Sequence, residues 1–123
     1  MRVSEVSGVM SWLGRTPNGF DYKLSEGGKE LSGGQRQTIA IARALIRKPH
    51  YIILDEPTAN MDTATEQLVL KNLAEYFEDE TVLIVTHRMA PLSLVSRIVV
   101  LDNGKVNVDG PKEKILERLK GAA

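Results

Sequence analysis

Residues Leu31–Thr58 read LSGGQRQTIAIARALIRKPHYIILDEPT. Ser32 is a good helix N-cap, and Gln35 stands three positions on, the spacing of a capping box. The spacing predicts a helix from there, with Ile39, Ile41, Ala42, Leu45 and Ile46 supplying its apolar contacts. Arg36, Arg43, Arg47 and Lys48 lie mostly on other faces, and Pro49 is the expected stop. Tyr51–Leu54 is a continuous apolar run of strand length, the pattern of a strand covered on both faces. Asp55 and Glu56 follow at its C-terminal end, where ligand chemistry gathers in open α/β sheets.

Helix and strand then alternate outward from this stretch. Asp62–Phe77 is predicted helical, with Leu68, Leu70, Leu73, Ala74 and Phe77 apolar. Thr81–Val85 is a second strand, ending at Thr86-His87-Arg88, and Leu92–Val95 is a short helical turn. Arg97–Leu101 is a third strand, and the Asn-Gly of Asp102–Lys105 predicts a hairpin into a fourth, Lys105–Val108. Pro111 opens a last helix with Ile115, Leu116 and Leu119 inward. Upstream, Val3, Val6, Val9, Met10 and Leu13 recur at helical spacing, so one helix is predicted over residues 2–13, capped by Ser4. Trp12 lies off that stripe and reads as a contact surface. Gly14–Gly19 and Ser25–Glu30 (SEGGKE) read as turns and loops.

The 123 residues suit one domain or part of one, and 42% hydrophobic content is enough for a folded core. Sixteen basic residues balance sixteen acidic ones, which argues against a nucleic-acid partner. Without cysteine there are no disulfides or thiolate metal sites, and the composition fits a reducing compartment. No apolar run approaches the roughly 18 residues a membrane-spanning helix needs, and MRVSEVSGVM lacks a signal-peptide core.

Three features carry chemistry. The first N–H groups of a helix lack internal partners and bear partial positive charge, so Ser32, Gly33 and Gly34 form either an ordinary cap or a phosphate seat. Asp55 and Glu56 are either solvated turn acids or a functional pair. As a pair on opposite strand faces they have different jobs: one holds a hydrated Mg²⁺, the other positions or deprotonates a water. His87 ends a strand, where it is either ordinary or a donor to a phosphate oxygen. His50 is expected to be exposed.

Taken in order, LSGGQ, a helix, an apolar strand with DEPT, an Asp-bearing turn, a helix, a strand and TH resemble the C-terminal part of ABC-transporter ATPase domains. The resemblance covers essentially the whole chain. It implies a partial P-loop NTPase-like three-layer α/β fold, with residues 1–48 from the helical subdomain and signature helix and 49–123 from the ATPase core. It implies ATP and Mg²⁺ as cofactors. Asp55 would hold the Mg²⁺ hydration shell, Glu56 would polarise the attacking water and His87 would contact the γ-phosphate. Ser32, Gly33, Gly34 and Gln35 of the signature would reach ATP bound to a second ATPase domain, and Asp62 would lie at that dimer interface. SEGGKELSGGQRQ and THRMAPLSLVSRIVVLDNGKV look most like exporters, especially type I protein-secretion (toxin or adhesin) ATPases. Such a domain serves a transmembrane exporter domain on the cytoplasmic side of the bacterial inner membrane. The turn Ala59-Asn60-Met61-Asp62 departs from the family's common Ser-Ala-Leu-Asp: Asp62 is kept, but Asn60 is larger and polar.

One part is absent. Gly28-Lys29 is followed by Glu30 and Gly104-Lys105 by Val106, so no G-x-x-x-x-G-K-S/T phosphate loop occurs in the chain. That loop makes most phosphate contacts in such enzymes. The chain alone is therefore expected to bind Mg-ATP poorly and not to hydrolyse it, and to be partnered, rearranged or marginally stable, with an open sheet edge. Two other readings remain at this point: a soluble ATPase of DNA repair or chromosome maintenance, and a non-catalytic module that completes a partner's nucleotide site.

Overall fold

A computed structural model describes residues 2–121; Met1, Ala122 and Ala123, the outermost residues of the two expected segments, lie outside the described residues. The elements are α1 (Val3–Val6), α2 (Met10–Leu13), α3 (Gly33–Leu45), β1 (Tyr51–Asp55), α4 (Thr63–Tyr76), β2 (Thr81–Val85), β3 (Arg97–Asp102), β4 (Lys105–Pro111) and α5 (Lys112–Gly121). Short 3₁₀ turns lie at Gly19–Asp21, Glu26–Gly28 and Ala90–Leu94. β1 and β2 pair in parallel, Tyr51 opposite Thr81 through Asp55 opposite Val85, with α4 as the crossover. β3 and β4 form a separate antiparallel hairpin. The α/β class expected from the sequence is the class observed.

One hydrophobic core gathers Val6, Ile41, Leu45, Ile52, Leu54, Met61, Val69 and Leu73. It draws on residues both before and after position 49, so the first helix, α3, β1 and α4 stabilise one another. The βαβ unit is covered on one face only. Ile52 and Leu54 are buried, whereas Tyr51 and Ile53 are 78% and 72% exposed, and their neighbours Leu83 and Val85 are exposed with them. The expectation that β1 is covered on both faces is corrected here. Side chains of a strand alternate, and α4 packs only the side that carries Ile52 and Leu54.

The single helix predicted over residues 2–13 is two short ones. Gly8, buried and at φ +81°, breaks it. A Cβ at Gly8 would stand 2.7 Å from Val69 Cγ2, so the turn is pressed against α4 and periodicity alone does not reveal it. Arg2, not Ser4, precedes the helix, and its N–H donates to Glu5 Oε2 at 3.1 Å. Gly8→Ala is expected to destabilise the chain by about 2–4 kcal/mol, from the left-handed backbone and the clash together. Urea unfolding measures this, and an unchanged midpoint would show that the turn yields freely.

Other differences are matters of phase. α3 ends at Leu45, before Pro49, because Lys48 turns left-handed at φ +48°. Its buried face is Thr38, Ile41 and Leu45, and Ile46 is 70% exposed. On α4 the buried positions are Glu66, Val69, Leu70 and Leu73, while Leu68 and Ala74 face solvent. β4 runs to Pro111, so α5 begins at Lys112; Ile115 is buried and Leu119 exposed. The hairpin turn is as read, with Asn103 and Gly104 both left-handed. Trp12 is no free contact surface: its Nε1–H donates to Thr38 Oγ1 at 3.0 Å, tying α2 to α3.

Candidate functional site

The C-terminal ends of β1 and β2 lie side by side, and each delivers one candidate side chain. Glu56 follows β1 in a left-handed conformation, φ +43°. Its N–H donates to Val85 O at 2.9 Å, which extends the parallel ladder by one bond and fixes where the carboxylate projects. His87 follows β2. Its backbone N–H donates to Glu56 Oε1 at 2.9 Å and its ring Nδ1 stands 2.7 Å from the same oxygen. Thr86 Oγ1–H donates to Glu56 Oε2 at 3.1 Å. The structure thus brings together the two residues proposed for catalysis, 31 positions apart in sequence.

Desolvation pushes the Glu56 carboxyl upward, but the hydrogen bonds from the His87 backbone, the His87 ring and Thr86, with the His87 charge, outweigh it, and the group titrates below the usual glutamate range. Its folded value is depressed, so the stability it contributes is present above the unfolded glutamate value. That stability is lost as pH falls through the lower folded value. An ionised carboxylate only accepts hydrogen bonds. Nδ1 of His87 must therefore carry its proton toward Glu56, and Nε2 donates to a phosphate oxygen only when the ring is doubly protonated.

Asp55 is exposed at the end of β1, beside a shallow hollow of about 200 Å³ lined by Gln37, Ile41, Ile53 and Pro57 among others. Among the described residues no cluster of three or more His, Cys, Asp or Glu is placed to hold a metal. A Mg²⁺ held by one carboxylate, substrate phosphates and water needs no such cluster, and an exposed aspartate fits that donor set.

The remaining predicted residues form a second group. Ser32 Oγ accepts the Gln35 N–H at 3.1 Å, and the Gln35 side chain accepts the Ser32 N–H at 2.8 Å, the capping box expected from the sequence. Gly33 and Gly34 lie under the turn after β1. A Cβ on Gly33 would come within 2.9 Å of Asn60 Cβ, and one on Gly34 within 2.8 Å of Asn60 O. In this chain the missing side chain of Gly33 admits the Asn60 side chain, and that of Gly34 admits the Asn60 backbone. Asp62 caps α4: Oδ1 accepts the Thr65 N–H at 3.0 Å and Oδ2 the Thr65 hydroxyl at 2.6 Å, which lower its pKa.

Sequence reasoning missed the residues that join these parts. Gln37 on α3 bridges to the turn: Nε2 donates to Glu56 O and Oε1 accepts the Asn60 N–H, each at 2.9 Å. Beneath the same turn, buried Thr58 and Glu66 form a polar cluster with half-buried Arg88. Thr58 Oγ1–H donates to Glu66 Oε1 at 2.6 Å, and Arg88 reaches Glu66 Oε2 at 2.9 Å and Thr58 O at 2.7 Å. The signal for Glu66 was present. It stands three, four and seven positions before Val69, Leu70 and Leu73, on the apolar stripe of α4.

The chain is similar to known proteins in sequence and in fold. Residues 2–59 match the ABC transporter family. The chain is 40% identical over 116 residues to an ATP-dependent lipid A-core flippase of Desulfotalea psychrophila, covering 94% of this chain and 20% of that protein. It is 39% identical over 113 residues to the cyclolysin secretion/processing ATP-binding protein CyaB of Bordetella pertussis, covering 92% of this chain and 16% of that one. The structure of a bacterial Atm1-family ABC exporter with ATP bound superposes with a TM-score of 0.87 at 29% identity, over 98% of this chain and 23% of that chain. The chain thus spans about a fifth of the length of these relatives. Across nearly all of its 123 residues, the chain is similar in sequence and in fold to part of ABC transporter proteins.

Proposed function

We propose that this chain supplies the hydrolytic side of an ATPase that drives export through a membrane domain. The observation that carries the reading is the Glu56–His87 pair at the ends of two parallel strands, with Asp55 adjacent. In this reading Asp55 holds the hydration shell of Mg²⁺, which neutralises phosphate charge when bound. Glu56 orients the attacking water and accepts its proton, and doubly protonated His87 donates Nε2–H to the γ-phosphate. Ser32, Gly33, Gly34 and Gln35 turn the start of α3 toward nucleotide on a second ATPase domain, with Asp62 near the shared interface. Each such domain serves a transmembrane partner, on the cytoplasmic side of the bacterial inner membrane; the neutral charge gives nucleic acid no footprint.

No helix among the described residues is long and apolar enough to cross a membrane, so the membrane partner lies elsewhere. The same holds for the phosphate loop, whose motif the sequence lacks. As cargo we propose a secreted protein of the toxin or adhesin kind, supported by the likeness to the cyclolysin secretion protein. The lipid flippase is as similar, so transport of each cargo class by the complete transporter decides that point.

The division of labour is testable directly. Titration calorimetry of the chain with Mg-ATP is expected to give no binding at micromolar concentration, and turnover is expected once a domain with an intact phosphate loop is added. Micromolar binding by the chain alone, or no turnover in the mixture, counts against the proposal.

A further inference from the structure

We infer that Gln37 is a positioning residue for the Glu56 carboxylate, and that through it the signature helix α3 and the hydrolytic turn move as one piece. The inference rests on the reading of Glu56 as the base.

The turn from Glu56 to Met61 has little regular structure of its own. Inside it, Ala59 N–H reaches Glu56 O at 3.3 Å and Met61 N–H reaches Thr58 O at 3.1 Å. Glu56 sits in a left-handed conformation that is unfavourable for a non-glycine residue, so something must hold it there. On the β2 side the Glu56 N–H is bonded to Val85 O. On the α3 side the hold is Gln37. Its amide satisfies two backbone groups of the turn together, donating to Glu56 O and accepting from Asn60 N–H. A carbonyl needs a donor and an N–H needs an acceptor, so only one orientation of the amide serves both.

Gln37 lies one turn into α3, beyond the capping box of Ser32 and Gln35. Gly33 and Gly34 of the same helix start touch Asn60. The turn is therefore gripped at Asn60 by the glycines and at both Glu56 and Asn60 by Gln37. A displacement of the helix start carries the backbone of Glu56 with it. Small errors in the placement of a base are costly: a shift of about 1 Å lowers rates by about a hundredfold.

The test uses a complete ATPase domain that contains this chain. Gln37→Met keeps the length and removes both bonds. Gln37→Glu keeps the acceptor for Asn60 and removes the donor to Glu56 O. Both are expected to lower kcat by about tenfold or more, with KM for ATP within about twofold of the parent. Added to Glu56→Gln, either change is expected to have no further effect, because the group it positions is gone. If Gln37→Met does not fold, Gln37→Glu decides alone. A parent-like kcat, a KM that rises in step, or full additivity with Glu56→Gln overturns the inference. Turnover by Glu56→Gln at the parent rate overturns instead the reading of Glu56 as the base. The two failures are therefore distinguishable.

Discussion

Glu56→Gln in a complete ATPase domain is expected to lower ATP turnover by about 10²–10⁴-fold, the usual contribution of a positioned general base. Nucleotide binding should survive, and the geometry says why. Glu56 Oε1 accepts two hydrogen bonds, from the His87 backbone and ring, while Oε2 accepts one from the Thr86 hydroxyl. A glutamine oxygen can take the Oε1 position and keep both donors. Its NH₂ then faces Thr86 Oγ1, an atom that can accept as well as donate. The turn keeps its anchors, Asp55 is untouched, and only the proton acceptor is lost. Glu56→Ala removes the anchors too, so it should weaken binding as well as turnover. The comparison of kcat and ATP affinity across the two variants is the measurement. Near-parent turnover by Glu56→Gln would show that another group activates the water.

What could be read from the sequence, and what could not, divides by range. Features set within a few residues were legible: the Ser32–Gln35 capping box, the Asn103-Gly104 turn and the apolar strand that ends in Asp55 and Glu56. Each depends on local backbone chemistry, and the ordered set pointed to the family. The break at Gly8 was not legible, because its cause is Val69, some sixty residues away. Nor was the half-covered β1, since an apolar run states that a strand can be buried twice and not that a second layer is there. The roles of Gln37 and Asn60 needed the turn to be folded against α3. Gly33 and Gly34 show the limit most clearly. Two glycines at a helix start permit either an anion or another residue to approach, and only the fold shows Asn60 there.

Glu66→Ala is expected to be among the most destabilising single substitutions in the chain, at about 3 kcal/mol. Thr58 and Glu66 are 1% and 5% exposed, and the Arg88 side chain is 31% exposed. Arg88 meets Glu66 through two nitrogens, at 2.8 and 2.9 Å, and Thr58 donates to the same carboxylate at 2.6 Å. Truncating Glu66 leaves a guanidinium that water reaches only in part and a hydroxyl that water does not reach. The exposed Arg97–Asp109 pair has equally good geometry, two contacts of 2.8 Å, yet its loss should matter far less, because water replaces what is removed. The cluster also has a functional reach. Arg88 follows His87 and is bonded to the Thr58 carbonyl of the turn that begins with Glu56, so losing Glu66 frees both sides of the Glu56–His87 pair together. Urea unfolding of Glu66→Ala, Arg88→Met and the double variant measures this. The double variant should be clearly less destabilised than the sum of the two singles, because it strands no charge. Additive losses, or a Glu66→Ala chain within about 0.5 kcal/mol of the parent, the range of ordinary surface changes, would mean that the turn and the His87 segment are held by packing alone.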